Sequence, residues 1–426
     1  MRIWSDPTKR RWIAWTALAA AFALVSVHRL STAVLAEQLT VAFDTTGAEL
    51  GTLHASFFYI YAAMQLPAGV IADRIGSRRV VTLGTAGMSV GALALGVADS
   101  YAIAFIARAL IGLGASLIFI ATLRFCANWF RPTEFARMSG LTIAAAGFGG
   151  ILATTPLAIL VAATDWRTTL FGLGIGGFAL AGLAFVFVRD SPAGAGLPEI
   201  DGVPKAENPS LSAVVDNTLA VLRERETWLV GLVMFCGTGL NLTVFGLWGV
   251  PYVVQTYGVS VTTASTYTLL GSAGMLVGPP LIGWLSDRTE GRLGLLVLSQ
   301  LAYAATFGLL AVTGKPPLPV VGAAFFATGF LAGGYALGYT IVKESHVSGA
   351  SGVATGAVNT LAFLGAALFP TLMGLILDAY LTGETIGGAQ VYSTTGYRVA
   401  FVLATAASVI ALLATFALYR TAQGNQ

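Results

Sequence analysis

The sequence predicts an all-α polytopic membrane protein: twelve transmembrane helices in two pseudo-symmetric six-helix bundles. Three observations carry this. Of the 426 residues, 56% are hydrophobic and only 10% charged, against about 25% charged in a soluble chain, and mean hydropathy is +0.79. Apolar stretches of the roughly 20 residues needed to cross a bilayer recur about twelve times. A short charged signature also appears once in each half, as Gly69-Val-Ile-Ala-Asp73-Arg74-Ile-Gly76-Ser-Arg78-Arg79 and as Gly283-Trp-Leu-Ser-Asp287-Arg288-Thr-Glu-Gly291-Arg292. Internal repetition of this kind marks a transporter built from two related halves.

In the first half the spans are expected near 12–38, 51–71, 79–98, 101–127, 137–162 and 168–188. In the second they are expected near 227–255, 262–285, 293–313, 318–342, 350–377 and 397–420. Residues 189–226 are polar and rich in Pro and Gly, so the chain divides into a bundle over 1–188, a cytoplasmic linker over 189–226 and a bundle over 227–426. The linker's end, Leu211 to Glu226, has the pattern of an amphipathic helix lying on the membrane surface. The loop near 380–396 is longer than the others and is expected to be flexible.

Charge placement sets the orientation. With a cytoplasmic N-terminus and twelve crossings, most of the 23 Lys and Arg fall on the inner side, and only Arg167, Lys315 and Arg398 fall outside. That bias puts both termini in the cytoplasm of a cell-membrane protein. No small-residue cleavage site follows a short apolar region, so a removable signal peptide is not expected. Cys126 and Cys236 both sit in apolar segments, which leaves no disulfide framework and no metal-thiolate spacing. Glycine-rich runs such as Gly172 to Gly177 lie inside spans and lack a phosphate-loop sequel. Enzyme chemistry, a cofactor, a metal and nucleic acid are therefore not expected.

In the repeated signature, Asp73 ends the second span, where its carboxylate can cap the positive end of a neighbouring helix. Arg74 and Arg78 can pair with carboxylates across the gap between halves, and Gly69 lets a helix of the other half come close. Gly76 closes the turn. Gly283, Asp287 and Arg288 repeat the pattern, and Lys343 and Glu344 enter the loop after the tenth span, where they are expected to join the same latch.

Charges within spans are costly and default to function. His28 and Arg29 lie about 25 Å from the start of the first span, too deep for the cytoplasmic surface. Tyr61 and Gln65 are four residues apart on the second span and share one face. Arg108 and Arg124 both belong to the fourth span but point roughly 160° apart, so they cannot face one cavity. Arg124 lies near the span's end, where snorkelling and substrate contact both remain open readings. No acid lies deep in any span; Glu37 and Asp378 fall at outer ends. Buried arginines without acids need counter-ions, which favours a small anionic substrate. The second half offers stripes: Asn241, Phe245, Trp248 and Tyr252; Tyr335 and Tyr339; Asn359 and Phe363. Helix packing and cavity lining are both open for these.

The signature from Gly69 to Arg79 resembles the loop 2–3 motif of the major facilitator superfamily, and the second copy resembles its loop 8–9 counterpart. Arg108-Ala-Leu-Ile-Gly112-Leu-Gly114 resembles that superfamily's fourth-helix motif. Two further stretches, His28-Arg29-Leu-Ser-Thr-Ala-Val34 and Ser56 to Gly69, resemble its organic-anion branch of sialin-like, vesicular-glutamate and sugar-acid carriers. The resemblance implies a secondary carrier working by alternating access. Arg29 would contact a substrate carboxylate with Tyr61 and Gln65, Arg108 would serve coupling, and the Asp-Arg turns would lock the cytoplasmic side. His28, Arg124, Asn241, Trp248, Tyr335 and Asn359 complete the candidate cavity. Sugar-acid carriers have a Glu seven residues after the motif Arg where this chain has Ala115, so H+ symport by that route is not expected, which leaves His28, His54, a substrate-borne proton, exchange or Na+ open for coupling. A monomer in contact with membrane lipid is expected. The competing reading is a multidrug or siderophore/metabolite exporter of the same fold, which would favour a deep acid that this chain lacks.

Overall fold

The computed structural model describes residues 6–198, 200–203, 211–289, 292–345 and 348–424. Glu290 and Gly291 of the second signature and residues 199 and 204–210 of the linker lie outside them. Among the described residues, eleven helices are long and apolar enough to cross a membrane, and one bent pair makes a twelfth span. The first span, Pro7–Phe43, starts where the Asp6 carboxylate accepts the N–H groups of Thr8 and Lys9, with Pro7 in the first turn. Thr46 and Glu49 form a capping box that opens the second.

That second span is broken into Gly47–Ala63 and Gln65–Ile75, bent by 56°. Pro67 explains the break: its ring clashes with the carbonyl four residues back, that of Ala63, and it supplies no N–H there. Tyr61 therefore precedes the bend and Gln65 follows it. The next four spans are Ser77–Val97, Tyr101–Trp129, Pro132–Leu152 continued by Thr155–Ala163, and Trp166–Phe187. After the linker helix Leu211–Arg223, the seventh span runs Arg225–Thr243 and Gly249–Tyr257 around a π turn, Val244–Trp248. Pro251 is four residues past Leu247 and withholds one N–H from that turn. The remaining spans are Val261–Thr289, Arg292–Thr313, Leu318–Phe330 with Ala332–Ser345, Ser348–Asp378 and Thr394–Gly424. Leu83, Val97, Ile106, Ile175, Val312 and Leu413 stay exposed on the outer surface, as helices facing lipid tails require.

The loop expected to be flexible is instead a β-hairpin, β1 (Leu381–Ile386) against β2 (Ala389–Tyr392). Its turn is Gly387-Gly388, with φ of 59° and 90°, the conformation a two-residue hairpin loop demands of glycine. Gln255 of the seventh span fastens it: the Gln255 side chain accepts from Tyr392 N–H (3.0 Å) and donates to the Gln390 carbonyl (3.2 Å).

The two halves meet on the face opposite the chain ends. There the Asp378 carboxylate accepts the N–H groups of Gly47 (2.6 Å) and Ala48 (2.8 Å), capping the second span from the other half. The hydroxyls of Thr52 and Thr371 lie 3.2 Å apart, and Ser265 donates to Thr155 at 3.3 Å. On the face of the chain ends, a side chain added at Gly69 or Gly283 would meet open space. The close helix approach expected at Gly69 is absent in this conformation, because the halves lean together on the other face.

Candidate functional site

Between the halves, at the bend of the second span, polar and aromatic groups converge on Arg29. Its guanidinium carbon lies 5.1 Å from the centre of the Tyr61 ring and 5.3 Å from that of Phe363. Those rings touch at 4.3 Å between centroids. Beside them the Asn359 amide donates to the Gln65 side-chain oxygen at 2.5 Å, and the Tyr339 hydroxyl donates to the Asn359 oxygen at 2.5 Å. Gln65 in turn donates to the Tyr61 carbonyl at 3.2 Å. A chain of neutral donors and acceptors thus crosses from one half to the other next to a cation. Nε and Nη2 of Arg29, one edge of its fork, are buried with no hydrogen-bond partner.

Arg108 is buried inside the first half. Its Nη1 donates to the His28 carbonyl (2.8 Å) and its Nη2 to the Thr32 hydroxyl (2.5 Å). The guanidinium carbon stands 5.6 Å from the Phe57 ring, which stacks on Tyr61 at 5.7 Å. Stacked rings therefore connect the two arginines. Gly112 makes this possible, since a Cβ there would lie 2.3 Å from the Phe57 carbonyl oxygen. Gly112→Val is expected to lower stability by about 1–3 kcal/mol through overpacking, read as a drop in thermal midpoint of the detergent-solubilised protein. Among the described residues no carboxylate pairs with Arg29 or Arg108; Glu134, Asp73, Asp287 and Glu344 pair with other arginines.

The structure brings Arg29, Tyr61, Gln65, Tyr339, Asn359 and Phe363 together, and places His28, Arg124, Asn241, Trp248 and Tyr335 away from them. The His28 side chain is fully buried, and the His28 backbone carbonyl accepts from Arg108 inside the first half. Arg124 forms an ion pair with Asp73, because the ends of the second and fourth spans are neighbours; it belongs with the signature, far along its helix from Arg108. Trp248 donates to the Pro370 carbonyl (3.0 Å) and sits against Tyr392, towards the packed face. Tyr335 packs on Tyr303 and over Gly237 inside the second half. Asn241 is buried there as well.

The signature residues also differ from expectation. The Arg78 guanidinium donates to the Phe185 carbonyl (2.8 Å) and stacks on the Phe185 ring, while its backbone N–H donates to Asp190 (3.0 Å). It does not reach across to the other half, because Asp190, just past the sixth span, is the nearer acid. Arg74 is exposed, and Gly76 takes a φ of 83° against Asp190. In the second copy Arg292 bridges Asp287 (3.7 Å) and Glu344, and Arg288 lies 4.3 Å over Trp284. Phe57 and Thr32 were missed. Each is four residues from a named candidate, Tyr61 or His28, so the helical spacing that singled out Tyr61 and Gln65 would have found them.

A family model described as Major Facilitator Superfamily matches residues 14–370 and 249–425. The chain belongs to the Major Facilitator Superfamily, and its fold is that of solved membrane transporters. It is 28% identical over 277 residues to the "Probable sulfoacetate transporter SauU" of Cupriavidus necator, covering 64% of each chain, so it spans just under two thirds of that relative's length. It is 25% identical to the hexuronate transporter of Bacillus subtilis, over 88% of this chain and 87% of that one. Its fold matches a bacterial homologue of the human lysosomal transporter Spinster, solved inward-facing and unoccupied, with a TM-score of 0.79 over 97% of both chains at 18% identity.

Proposed function

We propose that this chain is a secondary active transporter that moves a small organic anion across the cell membrane by alternating access, with both termini cytoplasmic. The observation that supports it most is Arg29: a cation between the halves, without a carboxylate partner among the described residues, next to the Gln65–Asn359–Tyr339 chain. A half-buried cation with one edge of its fork buried gains from a counter-ion that arrives with the substrate. The two oxygens of a carboxylate or sulfonate match the Nε–Nη2 edge of a guanidinium. The amides and hydroxyl beside it suit the remaining polar groups of such a molecule. Sulfoacetate and hexuronates, named for two relatives, have this chemistry. Arg108 holds the first span by the His28 carbonyl and Thr32, and is our candidate for coupling to H+ or Na+ movement. The paired signatures, parted here, are expected to meet when the opposite face opens.

A thermal-shift screen of the purified protein tests this. D-Glucuronate and sulfoacetate are expected to raise the unfolding midpoint, since ligands that bind only the native state stabilise it, while glucose at the same concentration leaves it unchanged. Equal stabilisation by the neutral sugar would overturn the assignment. Gln65→Ala is expected to weaken binding of the stabilising anion by about 2–10-fold, the share of one hydrogen bond, measured by titration calorimetry.

A further inference from the structure

Phe363 is a residue of the second half that touches the proposed anion-binding group of the first. It lies on the eleventh span, is buried, and has its ring centre 5.3 Å from the Arg29 guanidinium carbon. Phe58 stacks on it at 6.2 Å with planes only 12° apart, and Tyr61 contacts it at 4.3 Å. The ring is therefore held in one orientation by two aromatic residues of the first half. Tyr61 and Phe363 both offer ring faces to the same cation, and such faces attract a guanidinium without using its N–H donors. An Arg side chain has considerable rotamer freedom. Here two rings from two different halves limit it, leaving the hydrogen-bonding edge for an acceptor.

We propose that Phe363 is a positioning residue for Arg29: it arrives with the second half, orients the guanidinium, and so makes anion affinity depend on how closely the halves approach. This rests on the assignment of Arg29 as the anion-binding group. The contact joins spans of different halves, so rocking the halves apart at this level removes it. A ligand held by Arg29 would then bind the two conformations unequally, which is the condition for a ligand to drive a conformational change.

Two readouts test it. The first needs no ligand. The side-chain Nε–H resonance of Arg29, identified as the signal lost in Arg29→Lys, lies under two ring faces. Phe363→Leu is expected to move it downfield, and Phe363→Tyr to leave it near its original place. The second is the affinity for D-glucuronate. Phe363→Leu is expected to weaken it by about 3–30-fold and Phe363→Tyr to restore it, with the thermal midpoint of the unliganded protein similar in both variants. If Arg29→Lys binds glucuronate as the parent does, or the parent does not bind it, the anion assignment fails; the resonance still decides the positioning claim. An unmoved resonance in Phe363→Leu, or unchanged affinity alongside a defective Arg29→Lys, overturns the role of Phe363 alone.

Discussion

Arg29→Met is expected to abolish uptake of the transported anion in proteoliposomes while leaving the protein folded. Losing one partner of a buried charge pair costs enough to weaken binding by about 30-fold to more than 1,000-fold. The methionine is unbranched and close in length, so it can still fill the space beside Tyr61 and Phe363, whose rings the Arg29 guanidinium faces. Among the described residues, Nε and Nη2 of Arg29 are buried donors without acceptors, and such groups are costly. Unfolding midpoints without ligand should therefore stay the same or rise in the variant. That combination separates a binding role from a structural one, because a structural arginine would lower both. Uptake at the parent rate would remove Arg29 from the site, and with it the case for an anionic substrate.

Much of this architecture was legible because it rests on composition and periodicity. Bilayer thickness fixes span length, so the apolar stretches could be counted without knowing how they pack. Arg29, Tyr61, Gln65 and Asn359 stood out because a charge or amide within a span needs a reason. Their convergence was not legible, as it depends on the 56° bend at Ala63 and on which face of the eleventh span meets the second. Arg124 shows the limit most clearly. Its place on the helix excluded a shared cavity with Arg108, yet only packing shows that the end of the second span brings Asp73 to it. The signature's arginines were expected to bridge the halves; in this conformation nearer partners, the Phe185 carbonyl and Asp190, take Arg78 instead. The hairpin was missed although Gly387-Gly388 is a known turn pair, because the strands on either side are short and one is wholly exposed.

The second large effect concerns motion. If the halves rock, the face now packed must open in every cycle, and a covalent tie across it must stop transport. Thr52 of the second span and Thr371 of the eleventh have hydroxyls 3.2 Å apart. Two cysteines replacing them would put their sulfurs close to disulfide geometry, whose S–S bond is about 2.05 Å with Cβ atoms about 3.5–4.5 Å apart. The helices are already in register, since a Cβ on Gly51 would lie 2.4 Å from the Pro370 carbonyl oxygen. The free Cys126 and Cys236, both buried, are replaced by alanine in the parent. Thr52→Cys/Thr371→Cys is expected to transport at the parent rate when reduced, to fall to background once the bridge has formed, as verified by mass spectrometry of the linked peptides, and to recover with reductant. Anion binding should survive oxidation, because the bridge keeps the Gln65–Asn359 contact in place. Transport at the parent rate by fully bridged protein would show that this face does not open, and alternating access through it would fall.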